Sequence, residues 1–585
     1  MIRRALLLLL LAVRALPAPE PNIGEFFDRF TGEWVRADPQ LATRSQYFYG
    51  AEQDRLDGQL TPQTAEFRKQ RVERARRGLE EVRRFDRKRL SASQRVSARV
   101  LEWQLDAIVQ GARYEAHAYV FNQGIAGMPG VLIKFLTDVH PARTPRDVEN
   151  YLKRLSQVGS QVDVMIGEGR IRASRGIVPP RFILTATIDQ IERIAAPEPS
   201  SNVLVEAYSQ RIAKVPSISE DDRRNFRLAA TKVVADSVVP ALRRVIVLLE
   251  EQRQTAADDA GFSRLPEGAD AYARRLRDST STALTADQIH QTGLKQVARL
   301  EGQMDGLLRQ LGYDEGSVKD RYRKAQDDNS YPEQPDVRTS ILRDYEKIIG
   351  DAEQRSGALF DLRPKALVVV RRIPEYAERN AAANYSLPAR DGSRPGVFNV
   401  PLVGPKFSRL GMRTLAYHEA IPGHHFQLAL QQEDKNLPRF RSEAIIREGT
   451  TAFAEGWGLY AEALAIESDW YDNDLPGKLG ALEAQLFRAR RLVVDTGLHT
   501  KGWTRQQGID YGIAVSEVER YVAAPGQACA YMIGQLKLLE MRDKARGELG
   551  GKFSLKDFHT AVLAAGTVPL EVLEEVVNDY IRTKK

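Results

Sequence analysis

His418-Glu419-Ala420-Ile421-Pro422-Gly423-His424-His425 places three of the chain's eight histidines within eight positions. The reading of this stretch decides the fold. Zinc chemistry takes neutral imidazoles as ligands, a third ligand from elsewhere, and a carboxylate beside the open position that accepts a proton from water. Glu419, directly after the first histidine, fits the last role. In the common His-Glu-x-x-His motif two ligands share one helical face, about 6 Å apart along the axis. Here the second histidine comes six or seven residues later. In a straight helix His424 points away from His418, and His425 sits about 10 Å further along the axis. Neither reaches one ion unless the helix breaks. Pro422 cannot donate to the carbonyl of His418 and crowds it, and Gly423 accepts unusual backbone angles. The stretch therefore predicts a break in the helix, a bulge at Pro422-Gly423 able to bring His424 back to the metal.

Downstream, Arg447 to Glu462 supplies the best candidates for a third ligand. Glu448, Glu455 and Glu462 recur every seven residues on one helical face. Small residues surround Glu455, and the flanking Ala, Phe and Trp argue for a buried carboxylate, which needs a partner such as a metal. Upstream, Ala366 to Val370 is a β-branched run and Val397 to Leu402 a second, with turn chemistry at Asp391 to Gly396. Pro401 marks the second strand as an edge. An open edge strand beside the site can pair with an extended peptide; a structural hairpin is the alternative. Arg371, Arg372 and Arg394 flank this sheet, where they either bind a substrate carboxylate or serve as surface charge.

The rest of the chain reads as helix after helix. Helical periodicity covers residues 63–86, 92–118, 146–165, 202–214 and 219–252, with Ser91-Ala92-Ser93 as a cap. Gly50 to Thr61 and Asp258 to Gly268 read as surface loops. The fold class expected is mainly α: long helices walling a deep cleft, with a small β-sheet at its rim. Residues 16–364 form one side of the cleft, and residues 365–585 carry the sheet and the metal-site helices.

Composition bounds the remaining choices. The 585 residues are 43% hydrophobic and 28% charged, ordinary globular proportions that exclude a disordered or fibrous chain. The net charge of +7 is spread among mixed signs, as in Arg71 to Arg77, and no basic patch is interleaved with aromatics, so nucleic acid is not an expected partner. The single cysteine, Cys529, permits no intramolecular disulfide and reads as buried filler. Met1-Ile2-Arg3-Arg4, the apolar run Ala5 to Val13 and the small residues around Ala15 match a signal peptide over residues 1–15. The expected protein is exported, periplasmic or extracellular, with no stable membrane span after cleavage; an N-terminal anchor is the alternative.

Tyr417 to Gln427 resembles the signature of the bacterial domain of unknown function numbered 885, and Glu455 to Glu462 resembles that family's second signature. The likeness covers nearly the whole mature chain. Its pattern, His-Glu-x-x-Pro-Gly-His, implies His424 rather than His425 as ligand. More distantly, three stretches are similar to the helical gluzincins, namely angiotensin-converting enzyme and the Taq-type carboxypeptidases. That similarity implies Glu455 as the glutamate ligand. Pro525 followed by Tyr531-Met532-Ile533-Gly534 is similar to the segment that carries those enzymes' catalytic tyrosine, which implies Tyr531. The departure is the wider spacing of the metal histidines. The function expected is zinc-dependent hydrolysis of a peptide substrate, with Zn2+ on His418, His424 and Glu455, Glu419 as general base and Tyr531 as donor to the oxyanion. The alternative is a non-catalytic helical scaffold with a structural or decayed metal site. Asp495 and His499 end a long apolar helix, where His499 either meets a substrate carbonyl or caps its helix.

Overall fold

Ser91 and Gln94 close a reciprocal capping box at the start of the Ala92–Gly111 helix, satisfying two of the amide groups that every helix start leaves free. The same logic, with Thr144, Thr285 and Thr504 as caps, begins three further helices. The computed structural model describes residues 22–124, 127–378 and 381–585. The signal segment over residues 1–15 lies outside the described residues. Helix accounts for 69% of the chain and strand for 3%, so the architecture is mainly α with one small sheet. No described helix is long and apolar enough to cross a membrane.

The predicted helices are present with shifted ends: Ala65–Arg83, Ala92–Gly111, Pro145–Ser174, Val203–Ile212 and the run from Glu220 to Thr255, which continues through a π turn at Val234–Val238. The expected loop at Gly50 to Thr61 is instead the helix Gly50–Asp57 followed by coil. Tertiary polar contacts account for the difference. Asp57 accepts from Thr43 at 2.6 Å, and the buried Arg154 donates to the Leu56 carbonyl at 3.0 Å.

Three strands follow: β1 (Val368–Arg372), β2 (Asn384–Ser386) and β3 (Gly396–Val400). The order is β1-β3-β2, with β3 parallel to β1 and antiparallel to β2. The sheet is therefore not a hairpin of the two predicted runs. Nor is the second run an edge: β3 is central, and Pro401 stands just past its end, where it interrupts no ladder bond. The edges are β1 and the short β2, which hydrophobic patterning did not reveal.

Six helices carry or support the site: α1 (Ala286–Gln310), α2 (Met412–Glu419), α3 (His424–Glu433), α4 (Thr451–Glu467), α5 (Leu475–Thr500) and α6 (Ala530–Leu549). α5 lies along α1, and α4 along α6. The second pair approaches closely because Gly456 faces Gly534; a Cβ on Gly456 would sit 2.5 Å from the Gly534 backbone. The main apolar core runs from Phe26 and Trp34 through Tyr345 and Phe398 to Trp457 and Leu573. It thus draws residues from both sides of position 364. A second core lies within residues 60–256, and a third joins α1 to α5 and α6. Cys529 is buried in the third.

Candidate metal centre

α2 ends at Glu419, three residues before Pro422, and the predicted break spans Ala420 to Gly423. Ala420 leaves the helical region at φ −109° and ψ −101°, and helical bonding resumes after Gly423 at ψ −124°. Gly423 is required by close approach: a Cβ there would lie 1.9 Å from the His418 carbonyl oxygen. Trp457 Nε1 donates to the Pro422 carbonyl at 2.9 Å and fastens the turn to α4. The broken helix brings the rings of His418 and His424 to a centroid distance of 4.8 Å, nearly perpendicular.

α4 supplies the rest. Glu455 Oε2 stands 3.7 Å from His418 Nε2 and 3.8 Å from His424 Nε2. These separations are too long for good hydrogen bonds. They approach the edge of a zinc tetrahedron, about 3.4 Å for bonds of about 2.05 Å. The ligand atoms of His418, His424 and Glu455 all lie within 4.8 Å of one another. Among the described residues this is the one such group of His, Cys, Asp and Glu.

Each residue of Glu455-Gly456-Trp457-Gly458 has its own task. Glu455 faces the histidines, Gly456 admits α6, Trp457 holds the turn, and Gly458 makes room for the His418 ring. A Cβ on Gly458 would lie 2.5 Å from His418 Cε1. One turn further on, Glu462 Oε1 is 2.7 Å from His418 Nδ1, and Thr414 donates to Glu462 Oε2 at 2.6 Å. A carboxylate on the far nitrogen of a ligating histidine fixes its tautomer and presents Nε2. His424 Nδ1 is buried with no hydrogen-bond partner among the described residues.

The electrostatics favour positive charge at this point. Burial lowers the His418 pKa, but Glu455, Glu462 and Glu419 outweigh it and push the imidazole up to about 10. A divalent cation would supply the same charge. Glu419 is 7% exposed, and no described residue hydrogen-bonds its carboxylate. Burial raises its pKa, opposed by His418 and His424. The donor set, its spacing and the oriented His418 fit zinc.

The other sequence candidates divide. Tyr531 lies in the first turn of α6, the helix packed along α4; burial first, and the charge of Glu455 second, raise its pKa. His425 turns away from the cluster: its Nδ1 is 2.8 Å from the Tyr385 hydroxyl and its Nε2 3.0 Å from the Ala366 carbonyl, which ties α3 to the sheet. Glu448 pairs with Arg71 at 2.5 Å. His499 is fully buried, accepting from Phe262 N at 3.1 Å and donating to the Tyr521 carbonyl at 3.2 Å. Arg372 pairs with Glu378, Arg394 donates to the Leu387 carbonyl at 2.7 Å, and Arg371 is exposed. The roles of Glu462, Thr414 and Trp457 were not assigned from sequence. Only the seven-residue spacing of Glu462 from Glu455 signalled the first of them.

Comparisons with known proteins place the chain in context. The family model DUF885, described as "Bacterial protein of unknown function", matches residues 39–577. No curated protein matches the sequence. A crystal structure of a "putative lipoprotein" from Colwellia psychrerythraea is 28% identical, with a TM-score of 0.87 over 96% of this chain and 99% of that one. A "putative lipoprotein of unknown function" from Shewanella oneidensis shares the fold at 17% identity and a TM-score of 0.73, covering 95% of this chain and 100% of that one.

Proposed function

We propose that this chain, which belongs to the bacterial DUF885 family, is a zinc-dependent peptidase. The observation that carries the reading is the convergence of the ligand atoms of His418, His424 and Glu455 within 4.8 Å of one another, with Glu455 Oε2 3.7 and 3.8 Å from the two imidazole Nε2 atoms and the buried Glu419 following the first ligand. His418, His424 and Glu455 would hold the ion, and when bound it supplies Lewis acidity to a carbonyl and to water. Three protein ligands leave an open position, whereas a structural zinc site closes with four.

The chain's own residues divide the remaining work. Glu419, uncommitted to any hydrogen bond, takes a proton from the attacking water and passes it to the leaving amine. Tyr531, on α6 across from α4, donates its hydroxyl to the oxyanion as charge develops. Glu462 keeps His418 in one tautomer throughout. A peptide is the proposed substrate, because the sheet packs against α3 through the Tyr385–His425 contact and offers the edge strand β2 nearby.

Export belongs to the same proposal. Arg3-Arg4 before the apolar run Ala5 to Val13 supports a secretory signal, and so do the lipoprotein names of the two similar structures. A peptide-library digest beside a zinc assay tests the function. Cleavage that tracks one zinc per chain supports it; a zinc-loaded protein that cleaves nothing contradicts it.

A further inference from the structure

One face of α5 carries two arginines, Arg488 and Arg491, whose hydrogen bonding is incomplete. Arg491 is 7% exposed. Its Nη2 donates to Glu517 at 2.9 Å, but its Nε and Nη1 are buried without hydrogen-bond partners among the described residues. Glu517 has little to spare. It also accepts from Arg520 Nε at 3.0 Å, from Arg520 Nη2 at 2.9 Å and from the Tyr521 hydroxyl at 2.9 Å. Two guanidinium groups thus share one carboxylate. One turn earlier, Arg488 donates through Nη1 to the Ala484 carbonyl at 3.1 Å, while its Nε is buried with no hydrogen-bond partner among the described residues. No described carboxylate forms an ion pair with Arg488. Orphaned buried N–H groups are costly, and arginine's fork is shaped for a carboxylate.

The location is what makes this a site. The Arg491 guanidinium lies 4.6 Å from the Tyr531 ring centroid, and α5, which carries both arginines, packs against α2, which carries His418 and Glu419. The incompletely bonded guanidinium groups therefore sit on a helix packed against the one that carries the first proposed ligand, and Arg491 stands beside the proposed oxyanion donor.

We infer that Arg488 and Arg491 form a subsite for a carboxylate of the substrate, so that the peptides taken carry either a free C-terminus or an acidic side chain close to the scissile bond. This rests on the peptidase reading above. It adds the substrate class, and it is separable from that reading because binding can be measured without turnover.

The test uses the full chain carrying Glu419→Gln, so that peptides stay intact, and calorimetry with three N-acetylated peptides. One ends in a free carboxylate, one is its C-terminal amide, and one is an amide with glutamate at the last position. At least one carboxylate peptide is expected to bind roughly 10- to 100-fold more tightly than the neutral amide, the range for a charged hydrogen bond; which one identifies the source of the carboxylate. Adding Arg488→Gln should shrink that preference to less than about threefold. Arg491→Gln should shrink it likewise, and Arg491→Lys, which keeps the charge beside Glu517 but not the fork, should shrink it in part and serves if Arg491→Gln does not fold. Equal binding of all three peptides, or a preference intact in Arg488→Gln, overturns the subsite. Carboxylate-dependent binding by a wild-type protein that cleaves nothing sustains the subsite and defeats the hydrolytic reading. Cleavage indifferent to carboxylates does the reverse.

Discussion

His418 Nδ1 lies 2.7 Å from Glu462 Oε1, and both side chains are buried. The contact commits one imidazole nitrogen, leaving the other to face Glu455. Glu462→Gln keeps the shape but replaces the carboxylate acceptor with an amide. Zinc affinity should fall about 10- to 100-fold, as when other carboxylate partners of ligating histidines are lost. Competition against a calibrated chelator measures it, and an unchanged affinity would contradict the orienting role.

Gly458 faces the same ring from α4. Gly458→Ala puts a methyl 2.5 Å from His418 Cε1, so the ring or the helix must move. A loss of about 1–3 kcal/mol in stability is expected from overpacking, together with weaker zinc binding. Urea denaturation and zinc titration of the variant check both; a fully stable variant with wild-type affinity would count against this packing.

His424 and His425 are adjacent but should separate by substitution. His424→Ala removes a proposed ligand and should abolish stoichiometric zinc while the helical circular-dichroism signal stays. His425→Ala should keep the metal and lose stability, on the order of 1–3 kcal/mol, because the Tyr385 hydroxyl and the Ala366 carbonyl lose their partner. Zinc retained in His424→Ala, or lost only in His425→Ala, would reverse the assignment.

Burial depresses the imidazole of His140 to about 3 and those of His499 and His559 to about 4. Unfolded histidine titrates near 6.5. Between those values the unfolded chain binds protons that the folded chain refuses, so stability is present above pH 6.5 and falls as pH drops toward 4. Urea midpoints at pH 7 and pH 4.5 should differ clearly, the lower pH being less stable. Equal midpoints would contradict the neutral burial of these rings.

Much of this arrangement was legible in the sequence because the signals are local. Pro422-Gly423 announces the helix break, the capping residues announce helix starts, and the wider histidine spacing is resolved by that break. What was not legible depends on contacts between distant segments. Gly50–Asp57 is a helix because Thr43 and Arg154 bind its end, and β2 is a three-residue strand too short for a pattern. Pro401 was misread as an edge signal because its position just past the central strand is set by pairing with β1, not by its neighbours. The fates of Glu448, Glu455 and Glu462 likewise depend on which helix each meets.

The central claim is that Glu419 performs the proton transfer while His418, His424 and Glu455 hold the metal. Glu419→Gln, assayed for zinc content and for kcat on a peptide that the wild-type protein cleaves, tests it most directly. The variant should retain one zinc per chain and its fold, and lose at least about 100-fold in kcat, the scale of a missing general base. Near-normal kcat in a zinc-loaded Glu419→Gln protein would contradict the account.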